Sequence, residues 1–101
     1  MADTGQLDQA MAILERIGPR HANGPEYFEL LGNLNLSLGQ IQAAREAFTK
    51  VLYLKSDHEV ALLQLASIFD RLGHTEQSAR LRRRAMDAHD REQRNSSDHE
   101  A

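Results

Sequence analysis

Cysteine and tryptophan are absent from this 101-residue chain, and only 5% of its residues are aromatic. Without cysteine the chain can form neither a disulfide bond nor a thiolate metal site, a composition that fits a cytoplasmic protein. No apolar run approaches the roughly 20 residues that a helix needs to cross a bilayer. The opening Met-Ala-Asp-Thr does not begin the basic and then apolar pattern of a signal peptide. The sequence therefore predicts a cytoplasmic protein without membrane insertion.

Catalytic and metal-binding motifs are lacking as well. The five histidines are scattered, and no pair is spaced four residues apart beside a glutamate, as zinc hydrolases require. The one dense polar cluster, Asp57-His58-Glu59, lies at the predicted start of a helix, where capping and the helix dipole favour acidic side chains. No glycine-rich phosphate loop occurs. We therefore predict no catalytic residue, no metal site and no cofactor.

The charges are unevenly distributed along the chain. Its net charge is −3, which gives no general attraction to nucleic acid. Residues 1–79 hold six basic and ten acidic side chains, whereas residues 80–94 hold six basic and three acidic ones. The basic stretch contains Arg80, Arg82, Arg83 and Arg84. These arginines are either a contact for an anionic partner, which could be an acidic protein surface, phosphate or nucleic acid, or the solvated end of the fold. In the second case they would pair with Glu76, Asp87 and Asp90.

The sequence repeats itself with a period of 34 residues. A shift of that length superimposes Leu31 on Leu65, Leu34 on Ile68, Leu38 on Leu72 and Gly39 on Gly73. A period of 34 residues with these internal spacings is typical of helix–turn–helix repeats. The glycines are expected to end helices, and Ser56 or Asp57 is expected to cap the next one with Glu59 three residues beyond Ser56.

The repeat defines the expected domain organisation. We predict an all-α fold of about five helices in residues 1–94, composed of a half-repeat (5–18) and two full repeats (25–55 and 59–89). The half-repeat lacks its first helix, which suggests a fragment of a longer protein because a repeat buries its apolar face only against its neighbours. Residues 95–101 contain one apolar residue, the final alanine, and are predicted to form a disordered tail.

The repeat resembles the tetratricopeptide repeat. The residues that carry this resemblance are Phe28, Leu31, Gly32, Ala44 and Phe48, with Asn35 and Ser56 departing from the usual aromatic and proline. The resemblance implies an antiparallel helix–turn–helix solenoid that binds proteins, and it places Gly32 where the two helices of a repeat lie closest. It also implies a groove lined by Glu26, Glu29, Asn33, Leu36, Val60, Leu63, Ser67, Asp70 and Arg71. Because Glu26 and Glu29 would repel a carboxylate, we expect this groove to accept a basic or apolar peptide, or another helix of the same protein.

A narrower resemblance covers roughly residues 25–86. Residues 50–54, 57–66 and 79–85 are similar to the C-terminal tetratricopeptide region of CheR-type chemoreceptor methyltransferases. This resemblance implies an accessory module of an enzyme that methylates receptor glutamates with S-adenosylmethionine, the catalytic domain lying upstream. The expected partner is then a chemoreceptor, a signalling scaffold or the enzyme's own catalytic domain. The alternatives are self-association into a homodimer and a stand-alone adaptor.

Overall fold

A computed structural model describes the backbone of residues 4–18 and 24–100, and the side chains of 5–18 and 24–94. Within these residues the chain forms five α-helices and no strand. The helices are α1 (Thr4–Ile17), α2 (Glu26–Ser37), α3 (Ile41–Leu54), α4 (Glu59–Arg71) and α5 (Thr75–Glu100). The predicted all-α helix–turn–helix repeat fold of five helices is therefore confirmed.

The chain divides into two compact units, Met1–Lys55 and Ser56–Ala101. The first unit holds α1, α2 and α3, and the second holds α4 and α5. The division falls in the turn between the two full repeats that the sequence predicts.

In the first unit, α3 packs against α2 along one apolar stripe. Ala44, Ala47, Phe48 and Val51 are spaced three or four residues apart and are all buried, as the period of an α-helix requires. Phe48 has no exposed surface. A Cβ atom built on Gly32 would lie only 2.7–2.9 Å from three atoms of the Phe48 ring. Gly32 is therefore the point at which the aromatic ring reaches the α2 backbone.

Helix α1 packs less extensively against α2 than α3 does. Leu14 is its buried side chain, and the Tyr27 hydroxyl donates a hydrogen bond of 3.0 Å to the Leu14 carbonyl. Ile13 and Ile17 remain exposed. Residues 19–23, between α1 and α2, lie outside the described residues.

In the second unit, α4 and α5 bury complementary stripes. Helix α4 contributes Ala61, Leu62, Leu65, Ala66 and Ile68, and α5 contributes Ser78, Leu81, Ala85 and Ala88. Small residues dominate the α5 stripe, so the two helices come close without a large aromatic between them. Within the described side chains, no buried polar atom lacks a hydrogen-bond partner.

Helices α2 and α4 end in the same way. Gly39 and Gly73 follow the helices with φ of 77° and 82°, the left-handed conformation that a Cβ atom disfavours. Gln40 N–H donates to the Asn35 carbonyl at 2.8 Å, and the equivalent bond runs from His74 to Phe69 at 2.8 Å. These bonds form a Schellman motif at each helix end. The 34-residue repeat thus extends to individual hydrogen bonds.

The start of α4 differs from the prediction. The cap is His58, whose Nδ1 accepts a hydrogen bond of 3.2 Å from the backbone N–H of Ala61. Ser56 and Asp57, the predicted caps, lie two residues and one residue earlier, in the preceding turn. The prediction followed the residue types that usually cap helices, but Ser56 and Asp57 both lie in the turn, and the helix begins only after His58.

The end of the chain also differs from the predicted boundaries. Helix α5 continues through Glu100, whereas the sequence predicted a disordered tail from residue 95. No glycine or proline occurs after Gly73 to stop the helix. The prediction was made because these residues are almost all polar. Polar side chains prevent a segment from packing into a core, but they do not prevent its backbone from being helical. Ala101 lies outside the described residues.

Candidate partner-binding surfaces

The predicted groove residues of the first unit lie along one face of α2. Glu26 is exposed, and Glu29, Asn33 and Leu36 are half-buried. Their spacing of three to four residues places them on one side of the helix. The two glutamates form the acidic end of this face, and the role of the face in binding stays a prediction.

The predicted groove residues of the second unit form an exposed face of α4. Val60 and Leu63 are each 45% exposed, and Ser67, Asp70 and Arg71 are also exposed. The face changes from apolar at the N-terminal end of the helix to charged at its C-terminal end. Its role in binding stays a prediction.

The basic stretch of α5 divides into arginines with and without partners. Arg82 forms an ion pair with Asp70, and Arg84 donates a hydrogen bond of 2.9 Å to the Ser56 carbonyl. Arg80 and Arg83 are exposed, and they have no ion pair among the described residues. Among the described residues, Arg82 is thus the one arginine of the four that pairs with an acidic side chain, and Arg84 bonds to a backbone carbonyl instead.

Asp70, Ser78 and Arg82 form one polar cluster between α4 and α5. The Ser78 hydroxyl donates a hydrogen bond to the Asp70 carboxylate, and this bond is the main reason that the pKa of Asp70 lies below its ordinary value. The hydrogen bond and charge of Arg82 lower the pKa further, while burial acts in the opposite direction. Ser78 is buried, whereas Asp70 and Arg82 are about half exposed.

A cavity of about 260 Å³ opens between the start of α4 and the middle of α5. It is lined by Glu59, Leu63, Ala85, Met86, His89 and Asp90. His89 Nδ1 donates to Glu59 Oε1 at 3.0 Å, so part of its polar rim is already paired within the unit. Of its lining residues, only Leu63 was among the predicted binding residues.

A second cavity, of about 370 Å³, lies between α2 and α3 in the first unit. Phe28, Thr49, Lys50, Tyr53 and Leu54 line this α2–α3 pocket. None of them was predicted as a binding residue. The position of Tyr53 could have indicated this pocket from the sequence. Tyr53 lies off the buried stripe of α3, so it is an aromatic residue on the solvent-facing side of the helix.

The part of the chain that the structure describes contains neither a cluster of metal-binding side chains nor a membrane-spanning helix. No three of its histidine, aspartate or glutamate side chains converge as a metal site would require. None of its helices is both long and apolar enough to cross a membrane.

The comparison with known families agrees with this geometry. The tetratricopeptide repeat model matches residues 25–58, which contain α2, the turn and α3. The helix–turn–helix unit of residues 25–58 is therefore similar to a tetratricopeptide repeat both in sequence and in its arrangement of helices.

One curated relative extends the similarity to most of the chain. The chain is 35% identical over 85 residues to the probable biofilm formation methyltransferase WspC of Pseudomonas aeruginosa PAO1. The match covers 84% of this chain but 20% of WspC, so the chain spans about a fifth of its relative's length.

Proposed function

We propose that this chain is a non-catalytic protein-interaction module that acts with a protein-glutamate methyltransferase in a bacterial chemosensory or surface-sensing pathway. In this role it binds or positions a chemoreceptor, a signalling scaffold or the methyltransferase domain itself in the cytoplasm. The observation that carries the proposal is the 35% identity to WspC, which spans 84% of this chain and a domain-sized part of a methyltransferase.

The surfaces are consistent with this role. Tetratricopeptide repeats serve as scaffolds whose extended surfaces bind other proteins. Here the exposed face of α4 and the arginines Arg80 and Arg83 offer chemically different contacts, one apolar and one cationic. We propose the predicted groove and the basic stretch of α5 as candidate contact regions.

A substitution experiment in WspC tests the proposal. WspC would be prepared whole, without the segment that matches this chain, and with this chain in place of that segment. Methyl transfer from radiolabelled S-adenosylmethionine to a purified chemoreceptor cytoplasmic domain would then be measured. We expect the deletion to reduce methyl transfer or receptor binding, and the replacement to restore most of what is lost.

The outcomes separate the proposal from its competitors. A deletion without effect on binding or methyl transfer would contradict the accessory role. Methyl transfer by the 101-residue chain alone would show that it is an enzyme. Binding of the chain to the receptor without any effect on methyl transfer would favour a stand-alone adaptor.

Self-association is the second candidate, and the exposed Ile13 and Ile17 on α1 favour it. Two copies that cover these side chains would bury apolar surface worth about 25 cal/mol per Å². Sedimentation over a wide concentration range tests this, since a dimer dissociates on dilution. A mass equal to that of the monomer at every concentration would exclude it.

A further inference from the structure

We propose that the α2–α3 pocket binds an apolar side chain carried on an acidic segment of a partner protein. This inference rests on the proposed function as an interaction module, and it assigns a site and a ligand chemistry to that function. None of its lining residues belongs to the predicted groove or to the basic stretch of α5.

The first argument is the exposure of its apolar side chains. Tyr53 is 92% exposed and Leu54 is 54% exposed, although they are adjacent residues at the end of a helix whose other face is tightly packed. The chain has five aromatic residues, and Tyr53 is the one offered almost entirely to solvent. Tyrosine is among the residues that most often dominate binding energy in protein interfaces.

The second argument is the size and lining of the pocket. Its volume of about 370 Å³ far exceeds the roughly 30 Å³ that one water molecule occupies in the liquid. Phe28 and Leu54 supply apolar walls, and Thr49 contributes one short polar side chain. A pocket with so few polar groups favours an aliphatic or aromatic side chain.

The third argument is charge, which selects an acidic partner. The Lys50 ammonium lies 5.3 Å from the centroid of the Phe28 ring, where a cation–π interaction holds it at the pocket. Lys50 and Lys55 are the only lysines in the chain, and both lie near this end of α3. The nearest acidic side chain along the helix, Glu46, is one turn earlier and lines a neighbouring cleft instead. A carboxylate beside the bound apolar side chain would therefore meet a cation.

The cavity between α4 and α5 is a poorer candidate for the same ligand. Its rim carries Glu59 and Asp90, which would repel carboxylates, and His89 is already bonded to Glu59. The two cavities thus differ in the sign of the charge beside them, and this difference supplies an internal control.

The test uses fluorescein-labelled peptides and the full 101-residue chain. The probe peptide has a central leucine flanked by glutamates, and its two controls replace the leucine by serine or the glutamates by lysines. Binding is measured by fluorescence anisotropy at two salt concentrations, and amide NMR spectra locate the contact. Tyr53→Ala tests the apolar contact. Lys50→Gln tests the charge, and Lys55→Gln is its matched control because it removes the same charge outside the pocket lining.

We expect the leucine–glutamate peptide to bind and to shift the amide signals of residues 28 and 49–54. Tyr53→Ala should weaken binding at least about tenfold, as expected for an interface hot spot. Lys50→Gln should weaken it about threefold and reduce its salt dependence, while Lys55→Gln should have a smaller effect. Circular dichroism should be unchanged in all three variants because these side chains are exposed.

Several results would overturn the inference. They are absence of binding, equal binding of the serine or lysine peptide, equal binding by Tyr53→Ala, and amide shifts confined to α4 and α5. A fall in the mass of the free chain caused by Tyr53→Ala would show that a second copy occupies the pocket instead. The proposed function is tested separately, by using the Tyr53→Ala chain to replace the matching segment of WspC. The replacement can restore methyl transfer although the pocket has been altered. In that case the pocket is wrong and the function stands.

Discussion

Replacing Gly32 by alanine should destabilise the protein, although the same change on a free helix would stabilise it. Alanine is favoured over glycine in a helix interior by about 1 kcal/mol. In this structure, however, the new Cβ atom would lie 2.7–2.9 Å from Phe48, whose ring is completely buried and cannot swing into solvent. Overpacking of this kind costs about 1–3 kcal/mol. The net expectation is a loss of up to about 2 kcal/mol, and a larger loss for leucine at this position.

Urea denaturation followed by circular dichroism measures the change, with two controls. In a Phe48→Leu background the clash is relieved, so Gly32→Ala should become neutral or stabilising. Ala66 occupies the equivalent position of the second repeat, and the residue equivalent to Phe48 is the exposed Arg82. Ala66→Gly should therefore lower stability, since it loses helix propensity and relieves no clash.

A stabilising Gly32→Ala in the otherwise unchanged protein would refute this reasoning. It would mean that the ring moves aside at little cost, or that helix propensity outweighs the contact. An effect of Gly32→Ala that is equal with and without Phe48→Leu would show that the two residues are not coupled.

Three further outcomes follow from the second unit. Gly73→Ala should lower the free energy of unfolding by about 1–2 kcal/mol, because φ is 82° and an added Cβ atom would meet no other atom within 4 Å, so the backbone conformation alone is responsible. Equal urea midpoints of the two proteins would contradict this expectation. The pKa of Asp70 is lowered in the folded state, chiefly by Ser78, so its carboxylate stabilises the fold above the ordinary pKa of 3.8 and loses this effect as pH falls through the lower folded value. The stability difference between wild type and Asp70→Asn should shrink only below pH 3.8. Arg82→Gln should destabilise more than Arg83→Gln, whose effect should stay within about 0.5 kcal/mol, and equal losses would show that the ion pair contributes nothing.

Much of the fold was predictable because its signals are local. The 34-residue period located the helix ends at Gly39 and Gly73, since glycine alone takes the left-handed conformation without a Cβ penalty. The apolar spacing of α3 is a signal of the same kind, because a 3.6-residue period brings Ala44 and Phe48 to one face, where both are buried. The effect of a glycine at a helix end and the apolar spacing of a helix each depend on residues within one or two turns.

The candidate sites were less predictable because they depend on which side chains meet in space. The Asp70–Arg82 ion pair joins residues on different helices, and periodicity cannot reveal it. The spacing of the buried residues of α3 leaves Tyr53 off the core, but such spacing cannot show that Phe28 and Lys50 complete a pocket beside it. The capping role of His58 was also missed, because histidine is not among the preferred capping residues.

The two full repeats use equivalent positions for different chemistry. In the first repeat, three positions of α2 and α3 carry the apolar residues Leu36, Ala44 and Phe48. In the second repeat the same positions carry Asp70, Ser78 and Arg82, and these three side chains bond to one another. Ser78 is the buried member, and its hydroxyl would cost about 1–3 kcal/mol if it were left unpaired, whereas here it bonds to Asp70. The second repeat therefore exposes a polar cluster where the first carries apolar side chains. We therefore propose that an apolar side chain of a partner binds beside Tyr53 in the first unit, and not at this polar cluster.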